Sequence, residues 1–285
     1  MNEDLVQKIS QNIKKSKKYK SVYDKTIERI VGGFATKNTN TKIIEKKSKN
    51  LLHQIWGAFY ASRPNFEKVA DRLKIEIVSG KSAREAVLPI LSLQSSVKER
   101  IPILSDQSTK IGARPDVKVI KDSGFYKKIF EITGVPGSII DYACGLNPLT
   151  YFWMDLPENS TYTAYDIDSE EVEFLQTFFA DVKIKNVSVD VGDVLVDDLV
   201  YADVVFLLKL LPCLEHQKKD AGVELIKKLQ CKYVVVSFPV KSIGGKKAGM
   251  GDFYSNNFRN VIEKEGWKAE EVVFETELVF VVKKI

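Results

Sequence analysis

The sequence predicts an α/β chain: a Rossmann-like, seven-stranded, mostly parallel sheet preceded by an all-helical N-terminal domain. Three observations carry this. Apolar residues recur at helical spacing through the first 60 positions, short β-rich runs alternate with helical ones from Gly137 onward, and 285 residues amount to about two domains at roughly 150 residues each. With 44% hydrophobic and 28% charged residues the composition is globular. A chain of this length can bury roughly three quarters of its unfolded surface, which excludes global disorder.

In the N-terminal part, Leu5, Ile9 and Ile13, then Ile27, Ile30 and Val31, then Ile44, Leu51, Leu52, Ile55 and Phe59 mark three short helices. Their polar faces are mostly basic, with Lys14, Lys15, Lys17 and Lys18 in one cluster and Lys46 and Lys47 in another. Residues 62 to 130 continue with helical stretches broken by Pro64, Pro89, Pro102 and Pro115, and Ser105 to Val117, rich in turn formers, reads as a linker. The domains are accordingly expected at 1–110 and 111–285. In the second, strands are expected at Ser138–Tyr142, Thr161–Asp166, Val187–Val191, Asp203–Leu208, Lys232–Phe238, Val272–Glu275 and Leu278–Val282, the last two forming an antiparallel hairpin at the end of the sheet.

Charge divides with the pattern. Residues 1 to 130 carry 27 Lys and Arg against 13 Asp and Glu, whereas residues 131 to 285 carry 16 against 25, so a net charge of +5 conceals a basic half and an acidic half. The basic helices suit a phosphate backbone, which binds by counterion release. The first residues, MNEDLVQKIS, are acidic where a secretory leader would be basic, and the apolar run Val204–Leu208 stops at Lys209, so neither secretion nor membrane insertion is expected. Cys144, Cys213 and Cys231 lie 69 and 18 residues apart, a spacing that fits no metal-ligand pattern, and only His53 and His216 could assist. No metal is expected, and a reducing cytoplasm suits the free thiols.

In an open parallel sheet, ligands bind beyond the carboxyl ends of the strands. The first strand runs into Asp141-Tyr-Ala-Cys-Gly-Leu-Asn-Pro148, where Ala143 and Gly145 let a ligand approach the backbone, although this is not a G-x-G-x-x-G phosphate loop. The second ends at Asp166, an acid placed to accept from ribose hydroxyls, followed by Asp168, which reads as the cap of the next helix. The third ends at Asp193-Val194, an acid beside an apolar residue that suits an adenine amino group and ring. Beyond the fourth, Phe-Leu-Leu-Lys209-Leu-Leu-Pro212 carries no polar acceptor of the kind that helps to deprotonate an amino group. That absence suits a target nitrogen with a free in-plane lone pair, such as guanine N7, for which alignment suffices and no general base is needed.

This order of features resembles class I S-adenosylmethionine-dependent methyltransferases, and the longer motifs resemble one family among them. Leu52-His-Gln-Ile-Trp-Gly-Ala-Phe-Tyr60, Ser95-Ser-Val-Lys-Glu-Arg100, Asp141 to Pro148, Ala164-Tyr-Asp-Ile-Asp168, Phe206 to Pro212 and Ser237 to Met250 are similar to the aminoglycoside-resistance 16S rRNA (guanine-N7) methyltransferases of the Arm/Rmt type. The resemblance spans residue 45 to the C-terminus. It implies S-adenosylmethionine as cofactor, with S-adenosylhomocysteine as product. Arg100 would pair with the methionine carboxylate, Asp166 and Ile167 would hold the ribose, and Asp193 and Val194 the adenine. Ala143, Gly145, Leu208 and Gln217 would line the pocket, and Tyr60 or Phe59 would close over it. Lys209, Lys241, Ser242, Met250 and Tyr254 would lie on the substrate side, while Trp56 reads as core and His53 as structural. The family's Gly-Cys-Gly is Ala143-Cys144-Gly145 here, its Ser-Thr-Asn-Glu-Arg is Ser-Val97-Lys98-Glu-Arg100, and its acidic pair after Met250 is Gly251-Asp252.

The expected function is methylation of a guanine N7 in the decoding-site helix of the 30S subunit by a cytoplasmic monomer, with aminoglycoside resistance implied. Lys14, Lys15, Lys17, Lys18, Lys46 and Lys47 would meet the rRNA, and the target base would be flipped out to reach the methyl donor. The rivals are an adenine-N1 16S rRNA methyltransferase and a non-catalytic RNA-binding protein on a methyltransferase scaffold.

Overall fold

A computed structural model describes residues 3–36, 40–57, 63–94, 97, 100, 103–104, 120–121, 124–239 and 250–284. The helical spacing of the N-terminus gives α1 (Glu3–Lys14), α2 (Asp24–Ala35) and α3 (Thr41–Leu52), packed on one another around Ile9, Ile13, Val22, Ile27, Val31, Ile44 and Leu52. Asn40 caps α3 by accepting from the Lys42 and Ile43 amides. A π-helical turn, His53–Gly57, continues α3 and keeps Ile55 inside.

Next come α4 (Phe66–Val78) and α5 (Ala83–Leu91), the latter opened by a reciprocal Ser82/Glu85 capping box. A short antiparallel pair, β1 (Ile103–Leu104) and β2 (Ile120–Lys121), precedes α6 (Phe125–Thr133). The sheet consists of β3 (Ser138–Tyr142), β4 (Thr161–Asp166), β5 (Val187–Val191), β6 (Ala202–Leu208), β7 (Cys231–Pro239), β8 (Lys268–Val273) and β9 (Glu277–Lys283). Its order is β5-β4-β3-β6-β7-β9-β8, parallel from β5 to β7, with β9 antiparallel to both β7 and β8. The helices between strands are α7 (Ser169–Asp181), α8 (Leu211–Glu215), α9 (Ala221–Lys228) and α10 (Met250–Glu265).

Strand alternation sends Ile139, Tyr162, Val204, Phe206, Val235 and Val279 into one core and Ile140, Tyr142, Val205, Leu207, Val236 and Phe280 into the other. Helices α4, α5, α6 and α7 cover the first face, and α8, α9 and α10 the second. The cores do not divide at residue 110, because α4 and α5 bury Phe66, Leu73, Val87 and Ile90 with the sheet, and Phe66 stacks on Phe174 of α7 at 5.3 Å. The last hairpin forms as expected, but its first strand lies at Lys268–Val273 rather than Val272–Glu275. β8 is an edge strand with a largely exposed, charged sequence, so the apolar signal that marks a central strand is missing from it. The expected linker Ser105–Val117 lies outside the described residues.

From β3 the chain moves one way to β4 and β5 and the other way to β6 and β7. The carboxyl ends of β3 and β6 therefore flank the switch point, where the connections diverge and leave a crevice. Among the described residues, no helix is long and apolar enough to cross a membrane, and no group of three or more His, Cys, Asp and Glu could hold a metal ion.

Candidate active site at the switch point

The backbone turns away sharply at both strand ends. Ala143 after β3 and Lys209 after β6 hold left-handed conformations at φ 55° and 59°, uncommon for residues with a Cβ and found where surrounding structure over-determines them. Two residues on, Gly145 also has a positive φ, and a Cβ there would lie 2.5 Å from Nε2 of Gln94. A larger residue would push aside the Gln94 amide, whose Oε1 accepts from the Leu146 amide, and would strain the positive φ.

The acids after the strands are held in three ways. Asp166 is buried, with Oδ2 accepting from the Gly145 amide (2.9 Å) and Oδ1 from the Asp168 amide (3.0 Å); burial without a cation raises its pKa to about 6. Asp168 caps α7 through the Glu170 and Glu171 amides, as expected, and also accepts from Trp56 Nε1 (3.0 Å) and from Arg63 (2.7 Å). Trp56 is thus more than core packing, since its indole N–H ties the π-turn to the β4 loop. Asp193 accepts from the Leu195 amide at Oδ1 and, at Oδ2, from Thr26 Oγ1 (2.8 Å) and Arg29 (2.8 Å) of α2. The helical body therefore grips both acid loops, and its Tyr23 amide also donates to the Ile167 carbonyl at 2.7 Å.

Beneath the β3 and β6 ends lies a buried polar network. Asp141 accepts from Asn147 Nδ2 and from the Tyr162 hydroxyl, both at 2.6 Å, and burial lifts its pKa to about 6. Arg100 donates to Asn147 Oδ1 (2.9 Å) and to Glu277 Oε1 (3.0 Å), while Lys209 pairs with Glu277 Oε2 at 3.0 Å. Burial pushes the Glu277 carboxyl up, but Arg100 and then Lys209 outweigh it and hold it below the usual carboxylate range. Ser237 donates to Glu277 and accepts from the Lys209 amide, tying β7 to the same point.

Of the residues expected to bind cofactor, Arg100, Ala143, Gly145, Asp166, Ile167, Asp193, Val194, Leu208 and Gln217 all line one cleft, and Tyr60 lies outside the described residues. Arg100 is not poised as an isolated fork, because Glu277 and Asn147 already occupy its two terminal nitrogens. Lys209, expected on the substrate side, lines this same cleft, buried and ion-paired with Glu277 of β9. Tyr254 lies in the α10 layer and does not line the cleft. Lys241 and Ser242 lie outside the described residues; Met250 opens α10. Of the basic set, Lys15, Lys17, Lys18, Lys46 and Lys47 are exposed, Lys18 lying 3.2 Å from Nδ1 of the exposed His53. Lys14 instead donates to the Val22 carbonyl (2.6 Å) and pairs with Asp24, closing the α1–α2 turn.

Sequence reasoning missed Thr26, Arg29, Gln94 and Glu277. Two carried a signal: Arg29 is an arginine in a segment whose other cations are lysines, and Glu277 is a lone acid leading an apolar strand.

Comparison with known proteins agrees with this geometry. The family described as "Ribosomal RNA methyltransferase (FmrO)" matches residues 118–281. The chain belongs to the FmrO family. Outside the region of that match, whole-chain similarity extends to relatives named 16S rRNA (guanine(1405)-N(7))-methyltransferase. One from Micromonospora echinospora is 31% identical over 99% of this chain and 98% of its own length. Another from Frankia casuarinae is 31% identical over 99% and 95%. The crystal structure of 16S rRNA methyltransferase RmtF in complex with S-adenosyl-L-homocysteine superimposes with a TM-score of 0.77 at 24% identity, covering 99% of each chain, so this FmrO-family chain shares its fold.

Proposed function

We propose that this ribosomal RNA methyltransferase transfers a methyl group from S-adenosylmethionine to N7 of a guanine in the decoding-site helix of 16S rRNA, within the 30S subunit. The observation that carries the reading is the switch-point cleft, whose carboxylates are already engaged by donors while its target side offers a paired cation and apolar groups. The cleft is walled by the loops after β3, β4, β5 and β6, with α2 and the π-turn closing its helical side.

The residues present fit the cofactor. Arg100 keeps Nε buried without a hydrogen-bond partner among the described residues, a donor suited to a carboxylate at the amino-acid end. Asp166 can accept from ribose hydroxyls at the centre, Asp193 from an amine at the far end, and Gly145 leaves room for close approach. When bound, S-adenosylmethionine would supply a methyl activated by its sulfonium, which a lone pair on N7 would take up with no proton to remove. The protein's task is alignment and exclusion of water. Asp141 is engaged by Asn147 and Tyr162, and Asp193 by Thr26 and Arg29, so neither stands as a spare base, in keeping with a nitrogen that carries no proton.

The three N-terminal helices, residues 3–57, form the docking body, with Lys15, Lys17, Lys18, Lys46 and Lys47 toward rRNA phosphates. The enzyme works as a monomer in the cytoplasm, and the modified ribosome resists aminoglycosides. Incubation with S-adenosylmethionine and 30S subunits, followed by borohydride and aniline cleavage, tests this: strand scission at one decoding-site guanine is expected. N1-methyladenine, or no modification, would overturn it.

A further inference from the structure

The helical body holds one of the cofactor-site acids directly. Thr26 and Arg29 lie on one face of α2, three residues apart, and meet Asp193 across the domain boundary. Thr26 Oγ1 donates to Asp193 Oδ2 at 2.8 Å, Arg29 Nε and Nη2 donate to the same oxygen at 3.1 and 2.8 Å, and Arg29 Nη2 also donates to Gln217 Oε1 at 2.7 Å. Asp193 is only 5% exposed, so the guanidinium balances a charge that burial would otherwise penalise. Gln217 is fixed at its other end as well, Nε2 donating to the Cys213 carbonyl at 3.1 Å. All four residues line the cleft.

One planar fork thus ties the loop after β5 to the end of α8, two walls of the cleft that come from separate parts of the chain. It also loads the two oxygens of Asp193 unequally. Oδ2 is covered by Thr26 and Arg29, and Oδ1, held by the Leu195 amide at 2.9 Å, is the oxygen with acceptor capacity to spare.

We infer that Arg29, seconded by Thr26, is a specificity-determining positioning residue for the purine end of the cofactor, selecting a 6-amino over a 6-oxo purine. This rests on the reading of the cleft as the S-adenosylmethionine site. An exocyclic amine donates to a fixed carboxylate oxygen, whereas a 6-oxo group sets lone pair against lone pair in a buried place. With Arg29 removed, Asp193 can rotate or draw in water to solvate its charge, and the discrimination lapses. The helical body is then part of the cofactor site and not only a docking module.

The test is calorimetry on the full chain with two probes, S-adenosylhomocysteine and its 6-oxo analogue S-inosylhomocysteine. The parent should prefer the adenosyl compound by about 10–100-fold, the worth of one hydrogen bond to a charged group. In Arg29→Met the preference should shrink at least about tenfold, mainly through loss of the adenosyl compound, with Arg29→Lys between, since an ammonium keeps the charge but not the fork. A merely structural role would weaken both probes alike and leave their ratio unchanged, which overturns the inference while the cofactor reading stands. Equal binding of both probes by the parent overturns it too, because Asp193 would then read no amino group. No binding of either probe by the parent removes the cofactor reading itself. If Arg29→Met does not fold, Arg29→Lys carries the same ratio test.

Discussion

The cleft buries carboxylates in two contrasting ways. At the end of β4 and beneath the β3 end, Asp166 and Asp141 are held by neutral donors, backbone amides for one and an amide and a phenol for the other, and burial lifts both to about 6. On the opposite side Glu277, equally buried, sits between Arg100 and Lys209 and is held below the usual carboxylate range. Burial acts in one direction at all three, and the presence of a cation decides the sign. The first kind of acid remains an acceptor for a ligand, whereas the second is consumed in holding two cations and three structural segments together.

The largest expected effect lies at the consumed acid. Glu277→Ala leaves Arg100 and Lys209 buried without their counter-charge and should destabilise the fold by about 3–5 kcal/mol in denaturant titrations. A loss under about 1 kcal/mol would mean that water already solvates these cations. Removing the ligand-facing acid should act on affinity instead. Asp166→Ala should weaken S-adenosylhomocysteine binding by about 1.5–3 kcal/mol in calorimetry, and unchanged affinity in a folded variant would place the ribose elsewhere.

pH sharpens the same contrast. An acid raised to about 6 in the fold and near 3.9 when unfolded binds more protons in the native state between those values. Stability contributed by Asp141 and Asp166 should therefore fall as pH rises from about 4 to 6, each by on the order of 2–3 kcal/mol, and be flat above. Glu277 works the other way: its contribution is full above the unfolded carboxylate value and is lost as pH falls through its lowered folded one. Melting temperatures between pH 4 and 7 should show Asp166→Asn removing part of the decline on the rise to pH 6, and an unaltered profile would refute its raised titration. Above these values nothing on the reaction path need titrate. Single-turnover methyl transfer on pre-bound 30S should then be nearly constant between about pH 6.5 and 9, and a rise of slope one would demand a general base.

The smallest effects concern lysines that look alike in sequence. Neutralising Lys15, Lys17, Lys46 and Lys47 together should weaken 30S binding and lower its salt dependence by roughly one unit of slope per lost phosphate contact, leaving S-adenosylhomocysteine affinity nearly intact. Lys14→Met should do the reverse, costing about 0–1 kcal/mol of stability through its half-exposed pair with Asp24 and leaving the salt slope alone. If Lys14→Met changes the slope, its ammonium serves RNA despite its internal partners.

Much of the fold was legible because periodicity is a local property. Helices α1 to α3 and strands β3 to β7 and β9 follow from apolar spacing alone, and Asp168 as a cap follows from its place before Ser169-Glu170-Glu171. The acids at the ends of β4 and β5 were legible for a related reason: a parallel sheet directs its strand ends to one edge, so sequence order becomes a spatial list of cleft residues. Edge strand β8 escaped because solvent, not a core, faces much of it.

What the sequence by itself determined was therefore which strand-end residues reach the cleft; the tertiary structure alone decided what else touches them and which helical residues join them. Arg29 lies 164 residues from Asp193, and Glu277 lies 177 from Arg100 and on a different strand from Lys209. No local pattern encodes such pairs, since side-chain spacing along one helix or strand does not say which other element it will face. Burial then sets their worth: an acid that reads as a ligand in one dimension becomes an acceptor, a strut or a counter-ion according to the donors that the folded chain brings within 3 Å of it.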